Sequence, residues 1–166
     1  MSYLLMQTDF GEASAAMIGV AKIVDKDLRV FQITNVIPKF SVRKAAESLI
    51  EVIPYWPAGT VFVSVVDPGV GTARKACVAI LGNGSYVVTP DNGILDLLGK
   101  QFGLTEVREI DQSINRYHGN YWSDQSNIFH GRDIFAYCGA RLASGVISFS
   151  EVGPEYSLKE IIPYSE

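Results

Sequence analysis

The chain has 166 residues, which suits one domain with a buried core of its own. Hydrophobic residues make up 48 % of it and charged residues 19 %, a balance that argues against intrinsic disorder. The net charge of −4 argues against nucleic-acid binding, which needs a basic face, and no apolar run reaches the ~20 residues that span a bilayer. We therefore expect neither a nucleic acid nor a membrane among the partners of this chain.

Two further features concern the cellular compartment. The N-terminus lacks the charged start and apolar run of a signal peptide. Cys77 and Cys138 each lie in an apolar stretch without metal-ligand spacing, which is typical of buried, reduced thiols. The sequence therefore predicts a cytoplasmic protein.

The first third of the chain alternates apolar runs with helical patterns. Ser14 is a possible N-cap of the first helix, and Ser41 can cap the second. The predicted elements are a strand at Tyr3–Gln7, a helix at Ser14–Val24, a strand at Leu28–Thr34, a helix from Ser41 through Ile53 and a loop at 54–59.

The middle of the chain contains the strongest strand signal, Thr60–Val66, which is continuous, apolar and rich in β-branched residues. Such a run is typical of a central strand that is covered on both faces. A hairpin is predicted next, with strands at Ala76–Leu81 and Ser85–Thr89 around Gly82-Asn83-Gly84. A helix at Ile94–Gln101 and a strand at Glu106–Ile110 complete this part.

The last third begins with a polar segment, Asp111–Asn127, that has no clear period. A loop of that length in a compact domain is usually functional or mobile. A helical pattern returns at Phe129–Ser144, and Phe149–Glu166 is predicted to be irregular. The alternation of strands and helices predicts an α/β fold: a layered, mostly parallel central sheet flanked by helices.

Polar clusters follow predicted strands or precede predicted helices at four places. In open α/β sheets, ligands bind at the carboxyl ends of the strands, so these clusters are candidates for a site. Taken alone, such a residue is most often a turn former or helix cap, and only the coincidence of the four clusters points to a site. The clusters are Asp9, Asp67, Asp91-Asn92 and His130-Gly131-Arg132-Asp133.

The segment from Val61 to Lys75 is the most promising of these regions, because its strand ends in Asp67-Pro-Gly-Val-Gly-Thr-Ala-Arg74. The turn lacks the Gly-Lys-Ser/Thr ending of a P-loop and the third glycine of a dinucleotide fingerprint. It can instead present Asp67 and return Arg74 beside it as a bidentate pair, which could serve a site or merely tie the turn together.

Two other catalytic chemistries find little support in the sequence. A metal hydrolase would need three or four converging ligands, and no local His or Asp spacing supplies them. A serine hydrolase would need a nucleophile elbow, and no Gly-x-Ser-x-Gly occurs. His130, at a polar and Gly-flanked helix start, suits an imidazole that is exposed to a pocket.

Four motifs occur in an order and spacing that resemble a known family. They are Thr8-Asp-Phe-Gly11, Asp67-Pro-Gly-Val-Gly-Thr-x-Arg74, Pro90-Asp-Asn-Gly93 and Phe129-His-Gly-Arg-Asp133. Together they resemble the S-adenosyl-L-methionine hydroxide adenosyltransferases, the SAM hydrolases related to fluorinase and chlorinase. The resemblance covers the chain from Thr8 to about Pro154.

This resemblance implies hydrolysis of S-adenosyl-L-methionine to adenosine and L-methionine by attack of an activated water on ribose C5′, with no metal or cofactor. It implies Asp67, Arg74 and His130 as the catalytic set, and it leaves open which of Asp67 and His130 is the base. It implies a substrate-binding set of Asp9 at the ribose hydroxyls, Phe40 beside the ligand, Asn92, Phe129 and Gly131. Having His130 favours water over halide as the nucleophile.

The resemblance also concerns domain organisation. It implies that residues 1–166 form a single N-terminal catalytic-type domain, and that the family's C-terminal β domain is absent from this chain. In the family the site lies at a subunit interface of a trimer, so a homotrimer is expected if that domain is supplied. The alternatives are a module that binds the nucleoside or S-adenosyl-L-methionine, or an assembly module, without turnover, and a purely structural role.

Overall fold

A computed structural model describes residues 1–70, 72–119 and 129–166. Within these residues, seven strands form one mixed sheet with helices packed on both faces. The α/β class predicted from the sequence is therefore confirmed. Gly71 and residues 120–127 of the predicted loop lie outside the described residues.

The strand order across the sheet separates parallel from antiparallel pairing. The strands are β1 (Leu4–Thr8), β2 (Val30–Thr34), β3 (Val61–Val65), β4 (Ala76–Leu81), β5 (Tyr86–Pro90), β6 (Leu104–Glu109) and β7 (Glu155–Tyr156). Their order is β2-β1-β3-β5-β4-β6-β7. The first four strands of this order pair in parallel, whereas β4 pairs antiparallel with β5 and β6, and β6 with β7.

The central strands are buried on both faces, as the continuous apolar run of β3 predicts. Successive side chains of a strand point to opposite faces, so Val61 and Val63 enter one core while Phe62 enters the other. β1 divides in the same way, with Leu4 on the first side and Leu5 on the second. Because such a strand contributes side chains to two cores, the packing of both cores fixes its register.

Within the described part of the chain, four α-helices cover the sheet: α1 (Ser14–Val24), α2 (Val42–Val52), α3 (Ile94–Phe102) and α4 (Tyr137–Ser144). The predicted cap of α2 is confirmed, because the Ser41 hydroxyl accepts a hydrogen bond from the Lys44 amide at 3.2 Å. The predicted cap of α1 is wrong. A 3₁₀ turn at Gly11–Ala13 precedes this helix, and the Ser14 hydroxyl donates to Oε1 of Gln32 at 2.9 Å.

The last third departs from the sequence expectation at two points. The predicted helix at Phe129–Ser144 begins with a π-helix, Gly131–Ala136, which runs directly into α4. The segment predicted to be irregular contains 3₁₀ turns at Phe149–Glu151 and Leu158–Glu160 and the strand β7. A two-residue strand has too little sequence for a periodic signal, and it exists here because β6 offers an open edge.

Candidate functional site

Three neighbouring parallel strands place polar residues at the end of the sheet that their carboxyl ends form. β1, β3 and β5 lie side by side, so their carboxyl ends meet there. Asp9 follows β1, Asp67 follows β3, and Asn92 follows β5. Open α/β sheets bind ligands at this carboxyl end of their strands.

The turn after β3 is closed by an ion pair between Asp67 and Arg74. Nε of Arg74 lies 3.1 Å from each carboxylate oxygen of Asp67, and Nη2 makes a further, short contact with Oδ2. The side chains of Asp67 and Arg74 are only 3 % and 9 % exposed. A guanidinium held on a carboxylate by two nitrogens is both strong and geometrically specific.

His130 contacts the same guanidinium that holds Asp67. Nη2 of Arg74 lies 3.0 Å from Nδ1 of His130. A guanidinium has only donors, so Nδ1 is the accepting nitrogen, and the proton of the neutral ring is on Nε2. Arg74 therefore links the carboxylate and the imidazole, which are 63 positions apart in the sequence, counting 7 from Asp67 to Arg74 and 56 from Arg74 to His130.

The surroundings keep the imidazole of His130 neutral. Its pKa is lowered below the ordinary value of 6.5, first by burial and then by the positive charges of Arg74 and Arg116. The carboxylates of Asp67 and Asp133 oppose this shift without cancelling it. A neutral ring is what the bond from Arg74 requires, because a protonated Nδ1 could not accept it.

A cavity of about 210 Å³ opens beside the ion pair. Its wall combines carboxylates, one lysine and apolar groups: Asp9, Phe10, Lys39, Phe40, Val65, Asp67, Val70 and Gly131. Such a wall, mostly apolar with a few converging polar groups, is typical of a small-molecule site.

Asp9 and Phe40 form one side of this cavity. Oδ2 of Asp9 accepts a hydrogen bond from the Phe40 amide at 2.8 Å. Phe40 has a φ of 62° and is 55 % exposed, so its ring lies at the rim rather than in the core.

Gly131 lines the floor of the cavity, and there is no room for a side chain at this position. A Cβ atom there would lie 2.7 Å from Cε2 of Phe10 and 3.3 Å from Sδ of Met17. Phe10 in turn packs edge-to-face on Phe129, with ring centroids 6.0 Å apart. Phe129 thus supports Phe10, which lines the cavity, and is not itself part of the lining.

Asn92 ties the end of β5 to the end of β3, since its Nδ2 donates to the Val66 carbonyl at 2.8 Å. Its Oδ1 is buried without a hydrogen-bond partner among the described residues. Asn92 lies on a second cavity, of about 420 Å³, whose wall also contains Arg74, Lys75 and Asp91. Arg74 therefore lies between this second cavity and the carboxylate of Asp67, which lines the first.

Asp91 directly follows β5, and its carboxylate has a structural role. Tyr156 donates its hydroxyl to Oδ2 at 2.9 Å, and the Ile162 amide donates to Oδ1 at 3.2 Å. Burial raises the pKa of Asp91, and both hydrogen bonds oppose that shift. Asp91 thus anchors the C-terminal segment to the sheet.

The structure brings together Asp67, Arg74 and His130, and it places Asp9, Phe40 and Gly131 on the adjoining cavity. Asn92 and Phe129 support the site from outside that cavity. Sequence reasoning missed three of the contributing residues, Lys39, Val70 and Tyr156. Val70 lies inside the Gly-rich turn and could have been found there, whereas the other two carry no local signal.

No cluster of three His, Cys, Asp or Glu side chains arranged to hold a metal ion occurs among the described residues. Every helix in that part of the chain falls short of the length and apolar character that a membrane crossing requires.

Several relatives share the sequence over most of this chain. It is 41 % identical over 157 residues to an (R)-S-adenosyl-L-methionine hydrolase of Salinispora tropica, covering 92 % of this chain and 57 % of that protein. A protein of the same name from Methanocaldococcus jannaschii is 32 % identical over 86 % of this chain and 53 % of its own length. A fluorinase of Actinopolyspora mzabensis is 23 % identical over 89 % of this chain and 54 % of the fluorinase. The chain therefore spans little more than half the length of these relatives.

Two solved structures share the fold. An uncharacterized conserved protein from Thermotoga maritima superposes with a TM-score of 0.87 at 36 % identity, covering 98 % of this chain and 62 % of that one. A conserved hypothetical protein from Thermus thermophilus gives a TM-score of 0.76 at 30 % identity, covering 99 % of this chain and 62 % of that one. Residues 4–153 also match the sequence profile of the SAM hydroxide adenosyltransferase N-terminal domain. The chain therefore belongs to the SAM hydroxide adenosyltransferase family, matching its N-terminal domain.

Proposed function

We propose that this chain provides the catalytic half of an S-adenosyl-L-methionine hydrolase, which forms adenosine and L-methionine from S-adenosyl-L-methionine and water. The observation that carries the proposal is the Arg74 bridge between Asp67 and His130, beside a cavity that Asp9 also lines. Family membership and the names of the relatives support it.

The chemistry needs positioning more than activation of the leaving group. The water oxygen forms a bond to ribose C5′ while the bond from C5′ to sulfur breaks, and its electron pair returns to sulfur as a neutral thioether. One proton passes from the attacking water to a carboxylate of the site and on to solvent. Because a sulfonium is already a good leaving group, the protein has to hold one water in line with the breaking bond and accept a hydrogen bond from it.

Asp67 is the better acceptor for that water. Nδ1 of His130 is used by Arg74, and Nε2 carries the proton of the neutral ring, so the imidazole can donate to a water but has no free nitrogen to accept from it. Oδ1 of Asp67 accepts a bond from Nε of Arg74, which leaves it acceptor capacity, and Asp67 lines the cavity. In this proposal Asp67 accepts from the water, His130 donates to it and Arg74 fixes both.

The remaining cavity residues would hold the nucleoside. A carboxylate has only acceptors and suits two vicinal ribose hydroxyls, which is the role we assign to Asp9. Phe40 would cover one side of the ligand, and Gly131 would leave room for it on the other. Phe129 and Asn92 would keep the floor and the Asp67 turn in place through their contacts with Phe10 and Val66.

Three finer assignments belong to the same proposal. We infer that the reaction needs no cofactor, because the substrate brings its own leaving group. We infer a homotrimer, completed by the family's C-terminal β domain, from the resemblance described above. We infer a cytoplasmic location, which agrees with Cys77 and Cys138 being buried free thiols.

A second candidate is ligand binding without turnover, and its motive is that the cavity can enclose only part of a ligand. Its 210 Å³ lies below the roughly 300–1,000 Å³ of sites that enclose a whole small molecule. These residues would then hold the ribose end of the ligand, while the remainder would lie outside the described cavity.

The two candidates are separated by isotope-labelled hydrolysis. The protein is incubated with S-adenosyl-L-methionine in H₂¹⁸O. Adenosine is then isolated by chromatography, and its molecular mass is measured by mass spectrometry. Hydrolysis at C5′ places the label in the 5′-hydroxyl of adenosine. Adenosine without label, or adenine in place of adenosine, would contradict the proposed reaction.

Calorimetry with adenosine provides the second measurement. Binding of adenosine without formation of labelled product supports the binding-only candidate. If neither binding nor product is found, both candidates fail. Asp67→Asn is the matched variant, since it keeps the shape of the carboxylate, removes its charge and should abolish labelled product under the first candidate.

A further inference from the structure

Phe40 has an unusual backbone conformation for a bulky residue. Its φ of 62° is the only positive φ of a non-glycine residue among residues 1–70, 72–119 and 129–166. In this left-handed region the Cβ atom crowds the following carbonyl, which costs about 1–2 kcal/mol for an L-residue. Some contact has to offset this cost for Phe40 to stay there.

The segment 35–41 is hydrogen-bonded to the end of β1 and to the turn that follows it, where the Gly11 amide donates to the Asn35 carbonyl at 2.8 Å. The Ile37 amide donates to the Thr8 carbonyl at 3.2 Å, which is an ordinary backbone bond. The Phe40 amide donates instead to a side chain, Oδ2 of Asp9, at 2.8 Å. The Ser41 amide also donates to the Pro38 carbonyl at 2.9 Å, which closes a turn around Phe40. A hydrogen bond to a carboxylate is roughly twice as strong as one between neutral groups, so the Asp9 contact adds to this turn bond in offsetting the strain.

We propose that Asp9 is a positioning residue as well as a ligand acceptor: its Oδ2 holds the Phe40 amide, keeps Phe40 left-handed and thereby sets its ring at the rim of the cavity. This inference deepens the proposed function, and the part of it that concerns ligand binding rests on that function. One carboxylate then links ribose recognition to the shape of the cavity mouth.

The division of the carboxylate between two tasks is chemically possible. An ionised carboxylate has about four acceptor sites on two oxygens. The hydrogen bonds of the described residues take one of them, through the Phe40 amide. Oδ1 and the second lone pair of Oδ2 stay available for the hydroxyl groups of a ligand in the cavity that both residues line.

The first test needs no ligand and measures amide hydrogen exchange by ¹H–¹⁵N NMR. Asp9→Ala removes the acceptor and should speed exchange at the Phe40 amide about tenfold. Asp9→Asn keeps an oxygen that can accept and should raise the rate less than about threefold. An unchanged rate at Phe40 in Asp9→Ala would overturn the proposal.

Asp25 offers a matched control. Its Oδ1 accepts from the Asp27 amide at 2.9 Å, in an exposed turn on another part of the surface. Asp25→Ala should speed exchange at Asp27 and leave the rate at Phe40 unchanged. If Asp25→Ala also speeds exchange at Phe40, the Asp9→Ala result reflects general loosening, and the proposal fails.

The second test asks whether the two residues act together on a ligand. Dissociation constants for adenosine are measured for Asp9→Ala, for Phe40→Gly and for the double variant. Glycine tolerates the left-handed conformation without a ring to position. Asp9→Ala should therefore weaken binding at least about threefold more in the parent protein than in the Phe40→Gly background.

Equal effects in the two backgrounds would mean that Asp9 acts only by direct contact with the ligand, and would overturn the coupling. If the parent protein does not bind adenosine, the proposed function loses its ligand, while the exchange rates at Phe40 still decide whether Asp9 holds that residue. The failure of one proposal is thus distinguishable from the failure of the other.

Discussion

Nη2 of Arg74 lies 3.0 Å from Nδ1 of His130, and the direction of this bond is fixed because a guanidinium cannot accept. The same guanidinium holds Asp67 through Nε and Nη2. The arrangement requires a charged carboxylate, a charged guanidinium and a neutral imidazole at the same time. The ion pair and the neutral imidazole can be tested separately.

The Asp67–Arg74 pair should show the penalty of a buried, unpaired charge. Arg74→Met leaves the Asp67 carboxylate without its partner and should lower the free energy of unfolding by about 3–5 kcal/mol. The double variant Asp67→Leu with Arg74→Met removes both charges and should recover part of that loss. Urea denaturation monitored by circular dichroism measures both, and a double variant less stable than the single one would contradict this account.

His130 should make the stability of the protein depend on pH. The folded state holds the pKa of His130 below 6.5, so the unfolded chain binds more protons between the two values. The stability that His130 contributes is therefore present above about pH 6.5 and is lost as the pH falls toward the folded pKa. His130→Asn should lose less stability than the parent on acidification from about pH 7.5 to about pH 5.5.

Urea midpoints at each pH give the comparison. Equal acid sensitivity of the parent and His130→Asn would show that His130 is not the group responsible.

Gly131 should not tolerate even one methyl group. In Gly131→Ala the new Cβ would lie 2.7 Å from the Phe10 ring, and the resulting shift should cost about 1–3 kcal/mol of stability and weaken adenosine binding. The same change at Gly19, in α1, meets nothing within 4 Å and should stabilise the helix by about 0.5–1 kcal/mol. Thermal unfolding of the two variants should shift in opposite directions, and a neutral Gly131→Ala would refute the close packing.

Asn92 should be sensitive to the loss of its donor more than to the loss of its size. Asn92→Ala removes the hydrogen bond to the Val66 carbonyl and should cost about 1 kcal/mol. Asn92→Asp places a carboxylate oxygen against that carbonyl, so it should cost more than the alanine change. Chemical denaturation at neutral pH ranks the variants, and an aspartate variant as stable as the parent would show that the amide does not donate to Val66.

The parts of the fold that were predictable are those with a strong local signal. The continuous β-branched run at Thr60–Val66 identified β3, and Ser41 identified the start of α2, because each property is carried by the residues themselves. Ser14 misled because its hydroxyl is taken by Gln32, 18 residues away, which no local pattern shows. The start of the last helix was predicted, but periodicity does not distinguish a π-helix from an α-helix over six residues.

The candidate site divides in the same way. Asp67 and Arg74 are only seven residues apart, so the turn between them predicts their pairing from the sequence alone. The bond between Asp9 and the Phe40 amide depends on a left-handed backbone at a phenylalanine, which composition does not indicate. Tyr156 reaches Asp91 from 65 residues away through β7, a strand too short to predict.

The Arg74 bridge also implies an order of assembly during folding. Asp67 and Arg74 are seven residues apart and can meet as soon as their turn closes, whereas His130 is 56 residues from Arg74. The imidazole arrives only when the π-helix docks on α1, after a much larger loop has been closed. Local opening of that docked helix would remove the imidazole and leave the ion pair intact. The Asp67–Arg74 pair should therefore persist in partly opened states in which the contact with His130 is lost.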